Sequence, residues 1–215
     1  MDAVFKDTRQ ALHVSFLVLS QEPRQPSAMM KAIIQALEAL PELTTRQEQW
    51  LEQLRGEASS TLNFGGLTSD EVRAQCAAVI SAVRTKLHHA EQWEVTARFG
   101  QNDFTVDDDG VRRHFFLKER SEAIQALAGW LQPSFPAVST LAMDCLLAKL
   151  FANHAKMEIS FRDLAKSFGG NHMTYARAFP VIKARIIEID ENAIQRLRPY
   201  FERTGLVEKE EVAEA

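Results

Sequence analysis

The chain is nearly without cysteine: among 215 residues there are two, Cys76 and Cys145, each alone in an apolar helical pattern. With no second cysteine near either, local spacing assembles neither a CxxC redox pair nor a zinc site, and two reduced core thiols are expected. Long apolar runs are also missing. No stretch approaches the roughly 20 residues that a membrane span needs. The start, Met-Asp-Ala-Val-Phe-Lys-Asp, lacks a basic region followed by an apolar run, so no secretory signal and a cytoplasmic location are expected. No P-loop, dinucleotide fingerprint or nucleophile elbow occurs, so neither an enzyme nor a cofactor is expected. Metal ligation is not expected either. His88 and His89 are adjacent on a helical pattern, so their side chains diverge. Asp107, Asp108, Asp109 and Gly110 suggest a calcium loop, but its twelfth position is Lys118 where a glutamate is needed.

Apolar residues are plentiful: 46% of the chain is hydrophobic and 25% charged, which supports a real core and excludes wholesale disorder. The length suits one large domain or two small ones. The net charge of −4 argues against a protein that coats nucleic acid over its whole surface. It leaves room for a local basic face. Between Arg162 and Arg185 stand Arg162, Lys166, Arg177, Lys183 and Arg185 against Asp163 alone, five positive against one negative. The tail, with Glu208, Glu210, Glu211 and Glu214 against Lys209, hides that excess in the total.

Periodicity predicts a mainly α protein. Thr8 to Leu19 is apolar nearly all round, as a buried helix would be. Ser27 and then Thr44 or Thr45 are candidate caps for helices ending near Leu40 and Gly56, with a loop from Ser60 to Leu67. Thr68-Ser69-Asp70-Glu71 is a strong start signal for a helix to about His89. The stretches Val95–Phe99, Phe104–Val106 and Val111–Leu117 look extended, with Asp107 to Gly110 as a hairpin turn between the last two. Ser121 is expected to cap a helix to Leu131, and Val138 or Ser139 to start one reaching about Ala155. Pro180 is expected to kink or restart the chain, followed by helical pieces to Ile189 and from Ala193 to Phe201. The expected division is a helical domain over 1–92 for oligomerisation or partner binding and a β-hairpin element over 93–120. A helical domain over 121–205 and an acidic tail over 206–215 complete it.

Residues Ile159 to Phe179 carry the most information. Leu164 and Phe168 are four apart on one face, with Phe161 beside them. Ala165 is small where two helices would cross. Gly169 stands where the first helix must stop, a position that often needs positive φ, and Asn171 can cap the next helix. The stretch Gly-Gly-Asn-His-Met-Thr-Tyr-Ala-Arg-Ala-Phe is similar to the turn and recognition helix of bacterial regulators and of the promoter-reading part of sigma factors. Gly170 and Tyr175 stand where such units usually carry apolar residues, and a buried tyrosine needs a partner for its hydroxyl. The resemblance implies a second helix laid in a DNA major groove. It assigns Asn171, His172, Thr174 and Arg177 to base edges, and Lys166, Lys183 and Arg185 to phosphates. The bland alternative is a plain helical hairpin inside an all-helical core.

A second basic cluster, Arg112, Arg113, His114, Lys118 and Arg120, falls on the hairpin. It suits phosphate, RNA or an acidic protein surface, although a solvated sheet face is the simpler reading. Phe115 and Phe116 beside it are expected to pack in the core rather than stack on bases. The hairpin precedes the helix-turn-helix, whereas the wing of a winged unit follows it. The carboxy-terminal part also resembles the sigma-like unit of phage late-gene antiterminators, through the apolar helix from Leu146 to Phe151, a short link and Phe-Arg-Asp-Leu-Ala. These resemblances imply a bacterial or phage transcription regulator with duplex DNA as partner, RNA polymerase as a further partner, and a homo-oligomer. The alternatives are a phage DNA-packaging assembly protein, related to terminase small subunits, and a helical protein-interaction module.

Overall fold

The computed structural model describes residues 3–21, 67–110, 112–152 and 159–209. The helices expected from Ser27 to Leu40 and from Thr44 onward, and the loop with Gly65 and Gly66, lie outside the described residues. The fold is mainly α with one small antiparallel hairpin.

Local signals start most of the helices. Asp7 caps α1, Thr8–Ser20, by accepting the Gln10 N–H at 2.8 Å. Thr68 and Glu71 form a reciprocal capping box on α2, Ser69–Lys86: the Thr68 N–H reaches Glu71 Oε2 at 2.7 Å and Thr68 Oγ1 accepts the Glu71 N–H at 3.3 Å. Cys76, Val79, Ala82 and Val83 form the buried stripe of α2, which packs along α1. The chain then turns at Leu87 into α3, His89–Phe99. Val95 to Phe99 is therefore helical and not extended. Its strand-like alternation has a different origin: Val95 joins one core and Ala97 another, so α3 is buried on two sides.

Strands β1, Asn102–Val106, and β2, Arg112–Phe116, pair antiparallel with Phe104 opposite His114. Gly110, at φ 76°, donates to Asp107 O at 2.9 Å and closes the turn. Helix α4, Lys118–Leu131, begins three residues before the cap expected at Ser121, with no side-chain cap on Leu117. Ser139 caps α5, Thr140–Phe151, by accepting the Ala142 N–H at 3.3 Å. That helix ends at Phe151, where Ala152 is extended at φ −67° and ψ 106°, short of the expected reach to about Ala155. Helix α6, Phe161–Phe168, is followed by α7, His172–Thr204.

Helix α7 has 33 residues, an axis of about 50 Å. It passes through Pro180 and Pro199 without ending, so the chain does not restart at Pro180 and the two expected pieces after it are one helix. Both prolines are exposed, and the opposite side is buried at Tyr175, Ile182, Ile186, Ile189, Ala193, Leu197 and Phe201. From Ile182 that stripe runs in three- and four-residue steps, so the helix survives the hydrogen bonds that proline removes. Gly205, left-handed at φ 72°, ends it.

Two apolar cores result. The first gathers the end of α3 with α4, α5, α6 and the first half of α7. The second gathers Phe5, α1, α2, the middle of α3 and the second half of α7, and is closed by Leu206 and Val207. Phe5 and the segment after α7 exchange backbone bonds: Phe5 N–H to Leu206 O at 3.0 Å and Glu208 N–H to Phe5 O at 3.2 Å. One long helix is thus shared by both cores. No helix among the described residues is long and apolar enough to cross a membrane.

Candidate nucleic-acid interface

The candidate site starts at Ser160. Its hydroxyl accepts the Asp163 N–H at 3.1 Å and donates to Asp163 Oδ2 at 2.5 Å, which caps α6. That hydroxyl also holds the exposed Asp163 carboxyl below the usual carboxylate range. Leu164 is buried, Phe161, Ala165 and Phe168 pack against the first core, and Arg162 and Lys166 are exposed. The amphipathic spacing therefore sorts α6 into an inner apolar face and an outer basic one.

The turn between the two helices is made by glycine. Gly169 has φ 80°, the positive value its position suggested, and Gly170 has φ 81°. Two consecutive left-handed residues swing the chain by a route that side chains with a Cβ resist. The Gly170 signal was present in the sequence only as a departure from the usual apolar residue. Asn171 then caps α7 as expected, its Oδ1 accepting the Met173 N–H at 3.0 Å. Tyr175 is buried, and its hydroxyl donates to Gly169 O at 2.8 Å. The tyrosine that departs from the usual pattern thus finds its partner in the turn it underlies.

This geometry supports a stability prediction. A Cβ on Gly169 would meet nothing within 4 Å, so substitution there is a test of backbone conformation alone. Gly169→Val should cost about 1–3 kcal/mol, because a β-branched residue resists positive φ. Exposed Lys166→Ala should be nearly neutral. Denaturant melts of both proteins decide it, and a Gly169→Val protein as stable as the parent would show that the turn tolerates another path.

The outward side of this unit is basic. His172 and Arg177 are exposed on α7, as are Lys183 and Arg185 further along and Lys166 on α6. Thr174 is only half-exposed. Met173, not among the expected contacts, is 44% exposed on the first turn. Arg185 is partly occupied: it pairs with Glu188 at 2.6 Å, and its guanidinium lies 5.9 Å from the Trp130 ring centre. Asn171 is occupied too. Bidentate recognition of adenine uses both amide atoms, and here the cap takes the oxygen.

The second basic cluster is not one surface. Lys118 is exposed, 3.8 Å from Glu122, and His114 lies in ring contact with Phe104 at 5.9 Å. Arg112 and Arg113 are on β2, with side chains outside the described residues. Arg120 is buried at 2% exposure, which removes it from any binding face. Its Nε donates to Ala97 O at 2.7 Å, one terminal nitrogen to Asn102 Oδ1 at 2.6 Å and the other to Phe151 O at 2.8 Å. Ala97 and Phe151 lie in the last turns of α3 and α5, where helices leave carbonyls without intrahelical partners. The cation also faces the negative ends of two helix dipoles. Burial pushes its pKa down to about 10. Phe116 lies under the guanidinium at 4.8 Å and packs against the first core, as expected, while Phe115 is exposed together with Phe104 and Val106.

No protein-family model matches the chain. The search of curated proteins found no match either.

Proposed function

We propose that this protein is a sequence-selective DNA-binding regulator that docks the first turns of α7 in the major groove. The observation behind this reading is the unit from Ser160 to Ile186. It has a capped eight-residue helix, a two-glycine turn, and a capped second helix buried through Tyr175, Ile182 and Ile186 with His172 and Arg177 outward. Arg177 is the base-reading residue of this proposal, since arginine offers two parallel donors to guanine. Arg162, Lys166, Lys183 and Arg185 are its phosphate contacts, setting register without reading sequence. Asn171 serves mainly as the cap. The exposed Phe104, Val106 and Phe115 favour a protein partner for the hairpin, which is the second reading for that element.

Four phosphate contacts give a salt dependence with a slope near −3.6 on logarithmic axes, or roughly 150-fold weaker binding at 200 mM than at 50 mM salt. A fluorescence anisotropy titration against a random duplex pool measures this. No binding at low salt, or binding indifferent to salt, would remove the DNA reading.

A further inference from the structure

Glu94 has no exposed surface, yet it is a carboxyl group. Its Oε1 accepts from Arg98 Nε at 2.6 Å, while Oε2 is buried with no hydrogen-bond partner among the described residues. The same Arg98 Nε lies 3.3 Å from Oδ1 of Asp190, a buried carboxylate on α7. Asp190 also takes both terminal nitrogens of Arg9 from α1, at 2.6 and 3.3 Å. Arg98 therefore hydrogen-bonds one carboxylate and lies within ion-pair distance of a second, at the point where α1, α3 and α7 meet. Asp190 stands between the half of α7 in the first core and the half in the second, so this cluster is the polar joint of the two cores.

The surrounding charges are few. Helix α1 brings Arg9, with Asp7 at its start, and α7 brings Asp190 and Arg196. Arg196 is engaged with Glu91, one turn before Glu94 on α3, at 3.1 Å. Helix α4 brings Arg120, which bonds the Ala97 carbonyl and no carboxylate. Helix α2 meets α3 through the Arg84 carbonyl, which accepts from Gln92 Nε2. No described group hydrogen-bonds Glu94 Oε2.

We propose that Glu94 is a proton-operated latch on this joint. Protonated, it leaves Asp190 the main claim on Arg9 and Arg98, and α1, α3 and α7 close tightly. Ionised, it sets two buried carboxylates against each other around the Arg98 guanidinium, and the joint loosens. The proposal is independent of the DNA reading. Burial is the main force pushing the Glu94 carboxyl up, from 4.5 to about 7, and the Asp190 charge adds to it against Arg98 and Arg9. The sign follows from proton binding. Between pH 4.5 and about 7 the folded state holds a proton that the unfolded chain has lost, so the contribution is complete at low pH and disappears as pH rises through 7. The full window changes the unfolding equilibrium by a factor on the order of 10².

The test uses the full chain labelled with ¹³C at glutamate Cδ. One Cδ signal should titrate with a midpoint near 7 and be missing from Glu94→Gln. Thermal melts should then show Glu94→Gln matching the wild type at pH 5 and outlasting it at pH 8.5. Amide exchange, corrected for its intrinsic pH dependence, should accelerate in α1 and around Asp190 over the same range in the wild type only. A Glu94 signal that titrates near 4.5, or pH profiles that do not differ between the two proteins, would overturn the proposal. If Glu94→Gln does not fold, through-bond assignment of the wild-type signal decides the matter without it.

Discussion

Arg120→Ala is expected to cost about 3–5 kcal/mol of stability. The guanidinium fills three needs at once: a terminal carbonyl of α3, a terminal carbonyl of α5 and the Asn102 amide oxygen at the base of β1. Truncation strands two buried carbonyls and leaves the half-buried Asn102 oxygen without its donor, and each stranded buried acceptor costs about 1–3 kcal/mol. It also removes the flat cation that lies over Phe116. Arg120→Lys should recover less than half of the loss, because an ammonium on a single stem cannot direct donors to three separated oxygens as the fork does. Arg120→Met restores volume but no donor, so it should stay close to Ala. Urea denaturation measures the series. A loss under about 1 kcal/mol for Ala would mean that α3, α5 and the hairpin do not depend on this tie.

Arg120 also shows where sequence reading stops. Its neighbours along the chain, Arg112, Arg113 and Lys118, made it look like part of a basic surface. Its partners lie at Ala97, Asn102 and Phe151, up to 31 residues away, and only the tertiary fold brings them to one point. The joint of Glu94, Arg98, Asp190 and Arg9 was invisible for the same reason, since Arg9 and Asp190 are 181 residues apart. The caps at Thr68, Ser139 and Asn171 were legible because a cap acts across two or three residues. So was the positive φ at Gly169. Val95–Phe99 was misread because alternation marks a strand only when one side is buried, and α3 has two buried sides. The helix does not restart at Pro180, because a local rule on hydrogen bonds lost to the apolar stripe beneath it. In the candidate site, the turn and the outer basic residues could be read. The demand of the cap on Asn171 and the partner of the Tyr175 hydroxyl could not, since both depend on how the two helices cross.

The largest expected effects on binding separate reading from positioning on one helix. Arg177 and Lys183 are both exposed on α7, six residues or about 9 Å of axis apart. In the proposed docking Arg177 sits within two turns of the start of α7, where the helix enters the groove, and Lys183 is further back, nearer the backbone. Arg177→Ala should cost about 1–3 kcal/mol on the preferred site and relax base preference at one position. The loss on unrelated duplexes should be smaller, so selectivity falls with affinity. Lys166→Ala together with Lys183→Ala should weaken every duplex about equally and make the salt slope shallower by about 2 units, one for each phosphate no longer neutralised. Lys166 lies on α6 and Lys183 on α7, so a shared loss would place the backbone against both helices. Arg185→Ala should do less than Lys183→Ala, because Arg185 is already paired with Glu188. The measurements are a binding-site selection with each variant, then titrations at three salt concentrations on the selected and scrambled sites. If Arg177→Ala lowers every sequence by the same factor, Arg177 touches phosphate and base reading falls to His172, Met173 or Thr174. If the double lysine variant changes preference and leaves the slope alone, the roles of the two faces are reversed.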